Sequence, residues 1–254
     1  MQVFTASDGT QFEDRNEWRK YEFETNYTFR NQAQETLIKL PGSICGQPFD
    51  VSDLKNCVVM LLDHTDQVQV DHVVATKVFL GPSSSSVFIR NCSDCVFTIA
   101  CKQLRFRDCI NCTVYLYSFT APIIETSSEM RFAPFNGMYR QLSTQFHEAR
   151  LDPHCNLWSK VYDFNDPNKT GHNWRLLLTE EEDPDLWKPS LRQVLSEEDC
   201  KSEELVPGNC TSQADLTLGG MQSFTFDTTQ EEAERALCYE KEPLAIFPHA
   251  LNSA

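Results

Sequence analysis

VFIRNCSDCVFTIA (residues 87–100) and LRFRDCINCTVYLY (104–117) are two copies of one pattern. Each runs from an alternating apolar strand through a short polar corner bracketed by Cys-x-x-Cys into a second apolar strand. FDVSDLKNCVVMLL (49–62) and VQVDHVVATKVFLG (68–81) precede them in the same frame, and PIIETSSEMRF (122–132) follows more loosely. With Leu54, Val73, Cys92, Cys109 and Ser127 as equivalents, the steps are 19, 19, 17 and 18 residues. A short fixed period built of strands is the mark of a solenoid.

The alternation assigns the faces. Val51, Val70, Ile89, Phe106 and Ile124 form one inward column, with Phe49, Val68, Val87 and Leu104 one step earlier. On the second strand the inward columns are Val59, Val78, Phe97, Val114 and Leu61, Leu80, Ile99, Leu116. Period-2 alternation on both strands stacks these side chains into one core. The expected fold is all-β, a parallel β-helix with triangular coils of about 17–19 residues. An antiparallel sandwich also uses short, evenly spaced strands, but here the units align with one another.

The flanks differ in composition. Residues 1–35 hold EDRNEWRKYEFETNYTF, where Trp18 and Tyr21 at i, i+3 allow a short helix and the later part alternates as an extended segment would. We assign them to an N-terminal arm. Residues 36–179 form the β-helix domain, with NLWSKVYDFNDP (156–167) and HNWRLLL (172–178) capping its open end. Residues 180–254 are read as an acidic, extended C-terminal extension with short docking pieces at WKPSLRQVL (187–195) and EEAERALCYE (231–240).

A net charge of -15 argues against nucleic acid and anionic membrane surfaces as partners. No run approaches the roughly 20 apolar residues of a membrane span. The start MQVFTASDGT lacks both signal-peptide character and the Met-Gly of myristoylation, so no direct membrane anchor is expected. Eleven cysteines without a secretion signal are expected to remain thiols in the cytoplasm.

Cys92-x-x-Cys95 and Cys109-x-x-Cys112 stand 13 residues apart, close to the spacing of a four-thiolate zinc ribbon. The repeat explains them differently. Cys92 aligns with Cys109, and Cys95 with Cys112, at corners that elsewhere hold Leu54, Val73 and Ser127 or Cys57, Thr76 and Met130. A corner tolerant of such residues wants a small filler, which a free thiol supplies, so no metal is expected. Intrinsic catalysis is not expected either. The histidines are scattered, and GPSSSS (81–86) reads as a loop between coils, not as a phosphate cradle.

Two arginines remain to be placed. With Leu104 and Phe106 inward, Arg105 and Arg107 point outward from one strand. The Arg107 column runs Ser52, Asp71, Arg90, Arg107, Glu125, so Arg107 is expected to pair with Glu125. The Arg105 column runs Asp50, Gln69, Phe88, Arg105, Ile123. It offers no counter-charge, and the Arg105 guanidinium is expected to lie over Phe88, unpaired.

VFLGPSSSSVFIRNCSDC, CKQLRFRDC and PIIETSSEMRF resemble the C-CAP/cofactor C-like (TBCC) domain family. LPGSICGQPFDVSDLKNC (40–57), NLWSKVYDF (156–164) and HNWRLLL (172–178) resemble most its retinitis pigmentosa (XRP-type) branch. The resemblance covers roughly residues 35–180 and implies a right-handed parallel β-helix. It also implies that Gln103 and Arg105 act together, Arg105 as an arginine finger supplied in trans to a GTPase. Glu125 and Phe164 match positions that contact an Arf-like GTPase in that branch, and Arg107 and Phe88 complete the expected partner-binding set. The protein would then be a GTPase activator, not a hydrolase on its own. It would need no cofactor beyond the partner's GTP and Mg, and its partner would be an Arf-like small GTPase or tubulin. The alternative is a non-catalytic scaffold of a ciliary or flagellar assembly, docked on axonemal or microtubule proteins at the axoneme or basal body.

Overall fold

The structure is a computed structural model that describes residues 3–183 and 185–195. The stretch 231–240, read as helical, lies outside the described residues, as does most of the 180–254 extension. Strands β1 (Phe4–Thr5) and β2 (Gln11–Phe12) pair antiparallel and pack against helix α1 (Arg15–Asn26). Asp14 caps that helix by accepting hydrogen bonds from the amides of Asn16 (2.6 Å) and Glu17 (3.0 Å). Phe4 stacks on Trp18 and Phe12 tilts onto Tyr21, so the i, i+3 aromatic edge does dock.

From Thr28 onward the chain is a parallel β-solenoid. Its first coil is β3 (Thr28–Ala33) and β4 (Thr36–Lys39), its second β5 (Phe49–Lys55) and β6 (Val58–Leu61). Strands β7 (Val68–Val74), β8 (Lys77–Arg90), β9 (Val96–Arg107) and β10 (Thr113–Ser118) continue the stack. It ends with β11 (Ile123–Glu125), β12 (Met130–Pro134), β13 (Tyr162–Asp163) and β14 (Trp174–Leu176). The first coil begins inside the stretch assigned from sequence to the arm. Gln32 stands exposed opposite the buried Leu54, where an apolar inward residue would have marked a strand, so the pattern there is hidden.

Two sheets result. Face A carries β3, β5, β7, the C-terminal parts of β8 and β9, β11 and β13. Face B carries β4, β6, the N-terminal parts of β8 and β9, β10, β12 and β14. The registers agree with the sequence columns throughout: Val51–Val70–Ile89–Phe106–Ile124 is one ladder, and Val59–Val78–Phe97–Val114 is another. All of these inward residues are buried. GPSSSS is not a loop between coils. Its serines lie inside β8, which bends continuously round the third side, with Ser83 Oγ donating to the Asp66 carbonyl at 2.6 Å.

The five A-to-B corners from β5 to β12 each use two left-handed residues, at Asp53/Asn56, His72/Ala75, Asn91/Asp94, Asp108/Asn111 and Thr126/Glu129, with φ between 45 and 56°. Six of the ten are Asp or Asn, the residue types that tolerate this conformation best after glycine. The side chains filling the corner from inside make a repeated bond. Cys57, Cys92, Cys95, Cys109 and Cys112 thiols, and Thr76 and Ser127 hydroxyls, each donate to the carbonyl two residues back. Cysteine suits such a corner, being small, tolerant of apolar surroundings and able to donate once, whereas Leu54, Val73 and Met130 fill equivalent positions by packing alone.

Face B is covered on its outer side as well, which the sequence reading did not anticipate. Met60, Phe79 and Thr98 point outward yet are fully buried, beneath a segment that includes α2 (Leu142–Glu148) and Phe135, Tyr139 and Phe146. Gln145 Nε2 pins the cover by donating to the Leu62 carbonyl (3.0 Å). Helix α3 (Lys188–Val194) forms where the sequence places it, and it docks on the same face. Trp187 lies edge-on to Phe79 at 5.3 Å and donates to Thr98 Oγ1 at 2.8 Å. Face A is left as the broad open wall. No described helix is long and apolar enough to cross a membrane.

Candidate partner-binding site on face A

Arg105 and Arg107 project from β9 onto the open wall because Leu104 and Phe106 beside them are fully buried. Their registers are as expected: Arg105 lies opposite Phe88 and Ile123, and Arg107 opposite Arg90 and Glu125. The side chains pair differently. Arg105 Nη2 donates to Glu125 Oε2 at 2.8 Å, so the guanidinium is not unpaired. Arg107 does not take Glu125; its Nε lies 3.3 Å from Asp108 Oδ2, on the adjoining corner residue. Long side chains on a sheet reach diagonal neighbours as readily as opposite ones, and here the diagonal wins.

The aromatic partner also differs. The Arg105 guanidinium carbon sits 5.9 Å from the ring centroid of Phe164, not over Phe88. Phe164 stands edge-on to Tyr162 at 5.5 Å, and Tyr162 pairs in register with Ile123. Arg105, Ile123 and Tyr162 therefore form one outward column, with Phe164 beside it. Ser86 Oγ, opposite in register, donates to Gln103 Oε1 at 3.3 Å. Below them, Arg90 pairs with Asp71 Oδ2 (3.1 Å) and donates to Gln69 Oε1 (3.2 Å).

The structure thus brings Gln103, Arg105, Glu125 and Phe164 onto one part of the wall, with Phe88 half-buried beside Arg105 and Arg107 exposed at the edge. Arg105 is about a third exposed, and its Nε and Nη1 have no partner among the described residues. Such an arginine is aimed, with donors left over. Tyr162 was not legible as a member of the site. Ile123 and Tyr162 are separated by the long excursion through the face B cover, which breaks the period that ties the other columns together.

Among the described residues no group of three or more His, Cys, Asp or Glu side chains converges as metal ligands would. Cys92 lies against Cys109 and Cys95 against Cys112 one coil apart, and the four thiols bond to corner carbonyls. The neighbouring thiol, followed by burial, pushes Cys92 and Cys112 up from the ordinary thiol range, and burial does the same to Cys101.

Residues 46–164 match the family model described as tubulin binding cofactor C. Protein XRP2 of Gallus gallus is 43% identical over 152 residues, covering 60% of this chain and 42% of that protein. Tubulin-specific chaperone C of Mus musculus is 33% identical over 157 residues, covering 61% of this chain and 46% of that protein. Among solved structures, Tubulin Binding Cofactor C from Leishmania major aligns with a TM-score of 0.46 at 21% identity, over 61% of this chain and 91% of that one. The chain spans less than half the length of these curated relatives. Residues 46–164, the coils that carry Gln103, Arg105, Glu125 and Phe164, are therefore the part of the chain that matches the tubulin binding cofactor C family model.

Proposed function

We propose that the face A wall binds an Arf-like small GTPase in its GTP state and that Arg105 reaches the phosphates to accelerate hydrolysis. During γ-phosphoryl transfer negative charge redistributes over the phosphates, and a planar, permanently charged guanidinium stabilises it with directed donors. The observation that carries the reading is the aiming of Arg105 by a strand whose neighbouring residues are buried, with two donor nitrogens still unused. Gln103 would hold the finger or a loop of the partner.

The Arg105–Glu125 pair is the serious objection, since a finger already neutralised at home has less to offer. Magnitudes decide it. A partly buried, charge-assisted pair such as this contributes about 1.5–3 kcal/mol. A finger in trans is worth on the order of 10³–10⁵ in rate, or about 4–7 kcal/mol. Sharing or releasing Glu125 costs less than that gain. Tubulin is the second candidate partner, given the name and similarity of the mouse chaperone.

Single-turnover GTP hydrolysis by a panel of Arf-like GTPases, and by tubulin, tests the reading. Stimulation by the wild type should vanish in Arg105→Ala and nearly vanish in Arg105→Lys, which keeps charge but loses the fork. No stimulation anywhere in the panel refutes it. The same ion pair favours a second reading, a non-catalytic scaffold. Stable co-purification with microtubule or axonemal components that survives Arg105→Ala would support the scaffold.

A further inference from the structure

The third side of the solenoid, between face B and face A, carries an outward stripe that the finger does not explain. Phe119 N–H donates to the Cys101 carbonyl (3.1 Å) and Thr120 N–H to that of Lys102 (3.0 Å), so Phe119 lies opposite Lys102. Leu157 N–H donates to the Ser118 carbonyl (2.8 Å), so Leu157 lies on Phe119 in the next coil. Lys102, Phe119 and Leu157 are one column, rising about 10 Å along the solenoid. Phe119 is 37% and Leu157 41% exposed, and around the corner on face A Tyr162 is 53% and Phe164 42% exposed. Scattered surface apolar residues need no explanation, but two such columns meeting at one corner do.

The charge beside the stripe points to its occupant. Lys102 and Lys160 are both exposed and meet no carboxylate among the described residues, whereas Arg90, Arg105 and Arg107 each have one. In a chain of net charge -15, two unpaired ammonium groups flanking an apolar stripe fit a partner whose apolar contact has an acidic rim. The stripe meets the Arg105 wall at Tyr162 and Phe164, so a partner docked over Arg105 lies against it.

Resting on the reading above, we propose that Lys102, Phe119 and Leu157 form a second contact line for the same GTP-loaded GTPase. Arg105 supplies rate, and this line supplies affinity and choice of partner. Lys102 is the specificity-determining member, because an ammonium favours partners with a carboxylate opposite and penalises those with a cation.

The test uses the full chain and Arf-like GTPases loaded with fluorescent mant-GppNHp for affinity, with single-turnover hydrolysis at saturating protein for rate. Phe119→Ser and Leu157→Ser should each raise Kd about ten-fold or more. The saturating rate should stay within about two-fold of wild type, the signature of lost docking and not of lost chemistry. Lys102→Glu should weaken binding and flatten its salt dependence. If either apolar variant melts early, Lys102→Glu, a change at an exposed side chain, carries the test alone. Affinities within about two-fold of wild type in all three variants, with Arg105→Ala still inactive, overturn the contact line and leave the finger standing. A wild-type chain that binds no GTP-loaded GTPase overturns both.

Discussion

Phe106 and Phe88 sit in adjacent coils of face A, and a comparison of their alanine variants tests the register on which the site depends. Phe106 is fully buried, edge-on to Phe97 at 5.6 Å and to Phe132 at 6.4 Å, in the middle of the aromatic stack. Phe88 is on the outward side of the wall and half-buried. Phe106→Ala removes a ring with packed neighbours above and below, so transfer and cavity terms add to about 3–5 kcal/mol. Phe88→Ala loses only partial burial, about 1 kcal/mol. Urea unfolding followed by far-ultraviolet circular dichroism reads both. With an m-value of about 2 kcal/mol per M, the midpoint falls by roughly 2 M in one variant and about 0.5 M in the other. Because side chains alternate, a slip of one residue exchanges the faces. Equal losses, or a larger loss for Phe88→Ala, would mean that β9 is out of register. Arg105 would then point into the core, and no finger could exist.

Gly81 faces the Asp63 carbonyl oxygen at 2.5 Å and the Leu61 carbonyl oxygen at 2.9 Å from where a Cβ would stand, so Gly81→Ala should destabilise by about 1–3 kcal/mol in a thermal melt. An unchanged melting temperature would show that coil 2 and coil 3 are not so closely apposed. The Glu181 carboxyl is held at about 2, against an ordinary value of 4.5, chiefly by its hydrogen bonds from Arg175. A lowered folded value means that its stabilisation is present above 4.5 and is lost as pH falls toward 2. Carboxyl NMR should show that low midpoint, returning toward 4.5 in Arg175→Gln. A wild-type midpoint near 4.5 would remove the pair. Cys109→Ser should fold with a loss of about 1 kcal/mol, since Ser127 already fills the equivalent corner one coil on with the same bond. Collapse of the fold on losing that single thiol, together with stoichiometric zinc in the wild type, would restore the metal reading.

Much of the molecule was legible in one dimension. Alternation and an 18-residue rhythm assign inward and outward residues, and equal steps align the coils, because in a parallel stack register is set by the same columns that fill the core. Arg105, Arg107, Phe88, Ile123 and Glu125 accordingly stand at the ladder positions their spacing assigns. The cysteine corners were legible for a similar reason, as equivalents of Ser127 and Thr76 one or more coils away.

Other features depend on three dimensions. Which carboxylate Arg105 takes is decided by long side chains choosing between opposite and diagonal neighbours only angstroms apart. Phe164 and Tyr162 reach the site after an excursion that the period cannot follow. Phe79 and Met60 are buried on the outer side of face B because Trp187 and Phe146 return to cover them from far along the chain. Repetition determines the wall and which residues stand on it, since each coil sees only its neighbours. Partners arriving from outside the repeat decide how those residues are used, because no periodicity links them to the wall.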